Sequence, residues 1–338
     1  MRIYKVIPIA RGISKETLSY FGADGIPLGS LVSIPLRQKT ANALVVGEKE
    51  ISPSKSEIKS STYSLKKIGP IKNKHFLSPA FLESAIETAR MYASTTGSVL
   101  QNLIPKLVLE HNKLVSYREV RQNPRIRKEF LVIQEADSER FAHYKSFIRG
   151  EFAKHSSVFF CLPSGEDVRR AKNILEKGIE QYSCILHSGL TKKEFVKSLK
   201  LIAEEKHPVL IIGTPAFLSV ARGDLGSIIL DRENSRSYRT QTRPYIDMRE
   251  FIKHFAKASF VKLIMGDLML SIETLWKEQS EEYAEFFPLK LRMLSSSRSL
   301  LVDMKLPPGE YREEFRVLSR ELEALIDKTT EENENLFI

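Results

Sequence analysis

The stretches CILHSGL (184–190), HPVLIIGT (207–214) and SIILDREN (227–234) decide the fold. Each contains a short apolar run rich in β-branched residues, and each run ends in small or polar residues. Such runs predict buried strands, and a charged segment of helical length separates the first run from the second. Strands that alternate with helices favour a parallel sheet with crossover helices.

The residues that follow these strands are where we expect chemistry, because ligands bind beyond the carboxyl ends of parallel strands. The three ends carry His187-Ser188-Gly189, Gly213-Thr214 and the tetrapeptide 231–234, Asp-Arg-Glu-Asn. This layout is typical of the motor lobe of a nucleic-acid enzyme. Around it, the same alternation of strand and helix runs from Phe130 toward the carboxyl terminus.

Length and composition narrow the class of protein. A chain of 338 residues fits about two domains. The sequence has no apolar run of spanning length and no signal peptide, so we expect a cytoplasmic protein without a membrane partner. Two cysteines, Cys161 and Cys184, are too few for a structural zinc site or a disulfide framework, and we expect both in the core.

The positive charge is concentrated near the amino terminus. Residues 1–75 hold thirteen Lys or Arg against five Asp or Glu, whereas the other residues hold 39 against 37. A localised cationic surplus indicates a phosphate-rich partner. A solvated lysine-rich loop at residues 49–74 explains the same pattern equally well.

Before the parallel sheet, the pattern predicts a small β-rich domain. Apolar runs at 2–9, 30–36 and 41–47 are broken by Gly and Pro, and Ser78 and Pro79 begin a helix. Residues 110–130 are basic and lack periodicity, as a linker does. The tail predicts a strand at 299–304 and a helix begun by Ser319. Its apolar end suggests that the chain is cut short.

A nucleotide-hydrolysing motor needs a glycine-rich phosphate loop with Lys and Ser or Thr, and this sequence has none. We expect that loop before the strand SVFFCLP, where the sequence reads FAHYKSFIRGEFAKHS (141–156). Hydrolysis also needs an Asp for magnesium and a neighbouring Glu that orients water. Asp231 fits the first role, but Arg232 stands where the Glu belongs, and a guanidinium accepts no proton.

Two further segments each have two interpretations, and a third is a weak signal in isolation. The His187 segment contacts a nucleic-acid backbone or is a strand-to-helix turn with a hydrogen-bonded histidine. Gly213-Thr214 is equally weak as an isolated signal. The segment SYRTQTRPYIDMREF (237–251) offers Tyr and Arg side chains for stacking and phosphate contact, or it is a surface loop tied to Asp231 or Asp247 by salt bridges.

The chain resembles the amino-terminal half of the primosomal protein N′ family of bacterial replication-restart helicases. YKVIPIARGISKETLSYF and SPAFLESAIETARMYASTTGSVLQNLIP, within residues 3–105, look like that family's 3′-DNA-binding domain. HSGL, IIGT, LGSIILDREN, RPYIDMREF and MGDLMLSIETL follow the order of its first helicase lobe. The resemblance implies an α/β protein with a β-rich DNA-binding domain (1–107), a basic linker (108–130) and a degenerate RecA-like lobe of the superfamily 2 type (131–338).

The departures from the family concern nucleotide chemistry and the DNA-end pocket. The family's D-E-E-H box is DREN here, which leaves Asp231 and Glu233 as a degenerate nucleotide site. Its S-A-T motif is Asp-Leu-Met (267–269), and Pro215 replaces an arginine. The pocket's Phe-Asp-Tyr turn is Leu18-Ser19-Tyr20, and Arg37 replaces a glycine. The winged-helix insert is missing or reduced to 106–130.

The resemblance therefore implies a DNA-binding protein that recognises forked or 3′-ended DNA and has lost its ATPase chemistry. No catalytic residue and no cofactor are expected in this chain, although the family uses ATP with magnesium, and zinc in a part beyond residue 338. The candidate DNA-contacting residues are Arg11, Lys15, Leu18, Ser19, Tyr20, Arg37, Lys39, His187, Ser188, Gly189, Gly213 and Thr214.

Two other functions remain open from the sequence. One is an ATP-dependent 3′–5′ DNA helicase fragment that lacks its second lobe, which predicts ATP binding. The other is a non-catalytic scaffold for replication proteins, which predicts capture of partners without affinity for DNA. Other replication-restart proteins are the partners that the family implies, and the sequence does not identify them.

Overall fold

The structure is a computed structural model that describes residues 2–50, 65–115, 117, 129–220, 222–289, 302 and 317–331. The chain forms two compact units, Met1–Lys290 and Leu291–Ile338. The larger unit contains a β-rich amino-terminal part and a parallel α/β lobe.

A six-stranded sheet forms the amino-terminal part. Its strands are β1 (Arg2–Pro8), β2 (Leu18–Gly22), β3 (Leu31–Leu36), β4 (Lys39–Glu50), β5 (Lys66–Lys67) and β6 (Ile71–Asn73). The spatial order is β5-β2-β1-β4-β3-β6, and neighbours run antiparallel except β2 and β5. Alternating residues face opposite sides, so Tyr4 and Val6 enter one apolar cluster while Ile7 and Leu44 enter another.

Three helices follow the sheet: α1 (Pro79–Met91), α2 (Thr96–Leu103) and α3 (Lys106–Glu110). The predicted start of α1 is confirmed, since Ser78 Oγ accepts a hydrogen bond from the Phe81 amide at 3.1 Å and proline occupies the first turn. Gly97 lets α2 approach β1 closely, because a Cβ at this position would lie 2.1 Å from the Pro8 carbonyl oxygen.

The lobe is built on a seven-stranded sheet. Its strands are β7 (Phe130–Gln134), β8 (Ser157–Cys161), β9 (Ser183–Leu186), β10 (Leu210–Gly213), β11 (Leu225–Asp231), β12 (Lys262–Asp267) and β13 (Ala284–Glu285). The order is β13-β7-β12-β11-β8-β10-β9, and every pairing between these strands is parallel. The predicted strands of the opening stretches are confirmed as β9, β10 and β11.

Helices cover both faces of this sheet, as parallel strands require. They are α4 (Asp137–Ala153), α5 (Gly165–Leu175), α6 (Lys192–Glu204), α7 (Met248–Ser259) and α8 (Ile272–Gln279). The predicted α/β fold class, with a β-rich part followed by a parallel α/β lobe, is confirmed. None of the helices in the described ranges could serve as a membrane span.

The amino-terminal part and the lobe share one apolar core. The Phe81 ring of α1 meets the rings of Phe251 and Phe255 on α7 edge-on, at centroid distances of 5.0 and 5.8 Å. Helix α3 and a 3₁₀ turn (Asn112–Leu114) occupy the start of the segment expected to be a linker. Residues 116 and 118–128 lie outside the described residues, and the domain boundaries at 107 and 130 stay predictions.

The smaller unit contains α9 (Arg320–Glu331). Ser319 begins it as predicted, since its Oγ accepts a hydrogen bond from the Leu322 amide at 3.1 Å. The strand expected at 299–304 lies outside the described residues except for Val302. The residues at the chain end, 336–338, lie outside them as well.

Candidate functional site

Asp231, at the carboxyl end of β11, lies in a closed ionic cluster. Its carboxylate is 1% exposed and accepts hydrogen bonds from Arg140 Nε at 2.6 Å, Arg140 Nη2 at 3.4 Å and the Tyr144 hydroxyl at 3.0 Å. Burial raises the pKa of Asp231, and the Arg140 guanidinium and Tyr144 hydroxyl oppose this shift. The acidic side chain that would hold magnesium in a motor is therefore paired with a cation of the protein itself.

Arg140 is itself 1% exposed and fully engaged in this cluster. Nη1 donates to the Glu135 carbonyl oxygen at 2.6 Å, and Nη2 donates to Asp137 Oδ1 at 2.9 Å. Gly266 of β12 leaves room for the cluster, because a Cβ there would lie 1.8 Å from the Tyr144 hydroxyl oxygen. Arg140 and Tyr144 are spaced four residues apart on α4, so both face β11.

The expected position of the phosphate loop, in residues 141–156, is wrong. Most of that stretch belongs to the continuous helix α4, which begins at Asp137 and ends at Ala153. A phosphate loop joins a strand to the helix that follows it. Since α4 reaches Asp231, the equivalent turn lies between β7 and α4, at Glu135-Ala136. It contains no glycine, and acidic Asp137 and Glu139 occupy the first turn of the helix.

This turn is unsuited to nucleotide phosphates. A helix N-terminus favours anions, but here its partial positive charge already faces carboxylates. The Glu135 side chain is 3% exposed, with its Oε2 atom 3.2 Å from His143 Nε2. A triphosphate would find no lysine in this turn and would meet the exposed carboxylate of Asp137. No group of three or more His, Cys, Asp or Glu side chains in the described part of the chain could hold a metal ion.

Glu233 has a structural partner as well. Its carboxylate accepts hydrogen bonds from the Ser271 amide, the Ser271 hydroxyl and the Thr274 hydroxyl, each at 2.8 Å. It therefore caps the start of α8. Arg232 adopts a left-handed backbone conformation (φ 55°) and turns to Asp167, with Nη1 2.7 Å from Oδ1. Both side chains are therefore engaged with partners other than the Asp231 carboxylate.

The DREN segment and the Asp-Leu-Met segment are tied together. The Asn234 amide donates to Asp267 Oδ2 at 2.8 Å, and Oδ1 of the same carboxylate accepts from the Leu268 amide at 2.6 Å. The next side chains point into solvent, since Leu268 is 44% and Met269 70% exposed.

His187 lies at the end of β9 and is 2% exposed. Its Nδ1 accepts a hydrogen bond from the Gly189 amide at 3.1 Å, which leaves the ring proton on Nε2. Burial, together with the guanidinium of Arg169, lowers the pKa of His187, so the ring is neutral at pH 7. Nε2 is buried and has no hydrogen-bond partner among the described residues. The adjacent Ser188 and Gly189 are exposed.

Gly213 and Thr214 support this turn from the neighbouring strand. Gly213 is buried, and a Cβ there would lie 2.9 Å from the Leu186 carbonyl oxygen. The Thr214 amide donates to the same oxygen at 3.0 Å. The structure therefore brings the predicted residues of β9 and β10 together at one edge of the sheet, with Gly213 in a packing role.

The predicted DNA-end residues lie on β2, in the β3–β4 turn (Arg37) and at the start of β4 (Lys39). Leu18 and Ser19 are half-buried, whereas Tyr20 is 5% exposed and its hydroxyl donates to the Pro35 carbonyl oxygen at 2.9 Å. Tyr20 therefore cannot offer its ring to DNA without repacking. Arg37 and Lys39 are exposed. Arg37 has φ 53°, a conformation that suits the glycine which the family has there.

Arg11 and Lys15 are exposed, but Arg11 is engaged with the lobe. Its Nη2 donates to Asn102 Oδ1 at 2.5 Å and to Thr242 Oγ1 at 2.9 Å. Asn102 Nδ2 also donates to the Pro244 carbonyl oxygen at 3.0 Å. These contacts attach the Tyr- and Arg-rich loop to the amino-terminal part, a role that the sequence does not signal.

Within that loop, the two interpretations apply to different residues. Tyr238 is 1% exposed, and its hydroxyl donates to the Asp231 carbonyl oxygen at 2.6 Å. Arg249 pairs with Asp247, as expected of a structural loop. Tyr245 is 60% exposed and Arg243 is exposed, so these two remain available for stacking and phosphate contact.

Comparison with curated proteins agrees with the resemblance. Replication restart protein PriA of Helicobacter pylori J99 is 24% identical over 275 residues, which cover 76% of this chain and 41% of the relative. PriA of H. pylori 26695 is 23% identical over the same shares. The chain is PriA-like. It spans about two fifths of the length of these PriA proteins.

The other comparisons are less informative. No protein-family model matches the chain. A solved structure of S. cerevisiae Dbp5 bound to Nup159, Gle1, IP6 and ADP aligns with a TM-score of 0.35 and 12% identity, over 64% of this chain and 52% of that one. An XPD helicase structure aligns with a TM-score of 0.28 and 9% identity, over 48% and 36% of the two chains.

Proposed function

We propose that this PriA-like chain binds forked or 3′-ended DNA and does so without hydrolysing ATP. The proposal that ATP is not hydrolysed rests on the Arg140–Asp231 pair. The Arg140 guanidinium, with Nε 2.6 Å from Asp231 Oδ1, pairs with the carboxylate that would bind a magnesium ion in a motor. A magnesium ion with its bound nucleotide could enter only by breaking this buried pair, at a cost of about 3–5 kcal/mol.

DNA binding is supported by similarity to PriA and by the basic surplus of residues 1–75. Arg37 and Lys39 present two exposed cations at one turn, and Ser19 on β2 has a hydroxyl that could bond a sugar. Ser188, Gly189 and Thr214 supply a second contact region on the lobe. Each would position a DNA backbone without reading its sequence.

The 3′ terminus is the most specific part of the proposal. Ser19 replaces the carboxylate that the family's pocket uses, so any preference for a free 3′ hydroxyl must come from a weaker neutral hydrogen bond. We expect a preference of less than about tenfold, the equivalent of about 1.4 kcal/mol. The cytoplasmic location and the partnership with other replication-restart proteins belong to the same proposal.

Fluorescence anisotropy with labelled forked DNA tests this function. Forks with a free 3′ hydroxyl and with a 3′ phosphate are compared across a salt titration, with wild type beside Arg37→Ala/Lys39→Ala. We expect affinity that falls steeply with salt and a flatter dependence in the variant. Absence of binding at low salt would overturn the proposal and favour the scaffold. An unchanged affinity and slope in the variant would remove Arg37 and Lys39 from the interface.

A further inference from the structure

A groove of about 500 Å³ opens between the six-stranded sheet and the α3 segment, and its lining includes none of the candidate residues assigned above. We propose that this groove binds a phosphate group of a nucleic-acid strand. The proposal rests on the DNA binding proposed above and adds a contact to it. The groove is lined by Asn42, Ile71, Lys72, Lys106, Leu109, Glu110, Asn112 and Lys113.

The charge of the groove favours an anion. Three lysines face one glutamate, and all four side chains belong to exposed residues. The Lys106–Glu110 pair is long, with Nζ 3.6 Å from Oε1, and its lysine side chain is 89% exposed, so the glutamate neutralises it weakly. Lys113 has no ion-pair partner in the described part of the chain. Among the described residues, the only partner of Lys72 is neutral: Asn42 Oδ1, at 2.6 Å from Nζ.

The wall that carries Lys113 is held in place before any ligand arrives. Asn73 Nδ2 donates to the carbonyl oxygens of Asn112 and Val115, at 2.6 and 2.5 Å. Asn112 Nδ2 in turn donates to the Leu109 carbonyl oxygen at 2.7 Å. Fixing the turn in advance reduces the ordering that binding would otherwise require.

The groove also has features that suit a nucleotide unit better than a bare anion. Ile71 is 38% exposed and, with Leu109, offers an apolar surface beside the cations. A strand whose phosphate meets Lys72 and Lys113 would lay its sugar along this surface.

The test is a salt titration of single-stranded DNA binding by Lys72→Gln/Lys113→Gln. The matched control is Lys200→Gln/Lys257→Gln, which removes two exposed lysines from α6 and α7. Each phosphate contact contributes about 0.7 to the slope of log affinity against log salt for single strands. Losing two contacts should flatten the slope by about 1.4, which corresponds to about 25-fold weaker binding at 0.1 M salt than the wild type.

The outcomes distinguish failure of the groove proposal from failure of the DNA binding on which it rests. A flatter slope in the groove variant alone, with wild-type thermal melting, supports the proposal. If the groove variant and the control change equally while the wild type binds DNA, the groove is excluded and DNA binding stands. If the wild type does not bind DNA at low salt, the groove proposal and the proposed DNA binding are both wrong.

Discussion

Replacing Arg140 with Met should destabilise the protein severely, because it leaves a buried carboxylate with one remaining donor. Asp231 is 1% exposed, and after the substitution the Tyr144 hydroxyl, at 3.0 Å, is the one described side chain that still hydrogen-bonds to its carboxylate. Removing one partner of a buried pair costs about 3–5 kcal/mol. That is a large share of a total stability of about 5–15 kcal/mol.

The companion variant removes the charge on both sides. Arg140→Met/Asp231→Leu takes away the uncompensated carboxylate, and apolar replacement of a buried pair is often neutral or stabilising. The free energy of unfolding, measured by urea denaturation, should therefore recover by most of the loss seen in the single variant. Asp231→Leu alone leaves the guanidinium with Asp137 and completes a double-mutant cycle.

The single variant should also gain a pH dependence with a defined sign. Burial raises the pKa of Asp231, and losing the Arg140 guanidinium removes the charge that opposes this shift. The unfolded state then releases its proton at lower pH than the folded state does. Stability is present below the pKa of the unfolded carboxyl and falls as pH rises toward the folded pKa. Arg140→Met should therefore lose less stability at pH 5 than at pH 8.

Two results would refute this reasoning. One is a loss under about 1 kcal/mol in Arg140→Met, which would mean that Asp231 is not buried as described. The other is an equal loss in the single and double variants, independent of pH, which would assign the effect to packing alone.

Three smaller predictions follow from backbone and burial. Arg37 has φ 53°, a left-handed conformation that glycine adopts more easily than alanine. By urea denaturation, the unfolding free energy of Arg37→Gly should therefore exceed that of Arg37→Ala by about 0.5–1 kcal/mol, although both variants lose the same charge. Equal values would contradict the strained turn. Gly97→Ala should lower that free energy by about 1–3 kcal/mol through a clash with the Pro8 carbonyl oxygen, and melting like the wild type would disprove the close approach. Burial raises the pKa of Cys184 to about 12 and that of Cys161 far above its usual value. A thiol reagent at pH 8 should therefore label both cysteines in urea and neither in the native protein. Rapid labelling of the native protein would show that they are accessible.

The sequence predicts the strands of the lobe well because each is a short apolar run with a polar end. It also predicts the start of α1 from Ser78 and Pro79, since capping is a local interaction between residues three positions apart. The collection of His187, Thr214 and Asp231 at one edge follows from the parallel arrangement alone. These features depend on local chemistry or on the direction of the strands.

The closed ionic cluster could not be predicted in the same way. Arg140 and Asp231 are 91 residues apart, and an arginine within a helical stretch reads as a surface residue. Recognising the pair needs the strand order, in which only β12 separates β7 from β11. The need to know the strand order also explains the misplaced phosphate loop. It explains the unforeseen burial of Tyr20 and Tyr238 as well, since their hydroxyls donate to carbonyl oxygens of other strands, at Pro35 of β3 and Asp231 of β11.

The most direct test of DNA binding without ATP is the anisotropy of a labelled fork with a free 3′ hydroxyl, titrated with the wild-type protein in the presence and absence of magnesium and ATP. We predict salt-dependent binding with the same Kd in both conditions and no release of phosphate. A shift in Kd on adding magnesium and ATP, or phosphate release stimulated by DNA, would contradict the closed nucleotide site.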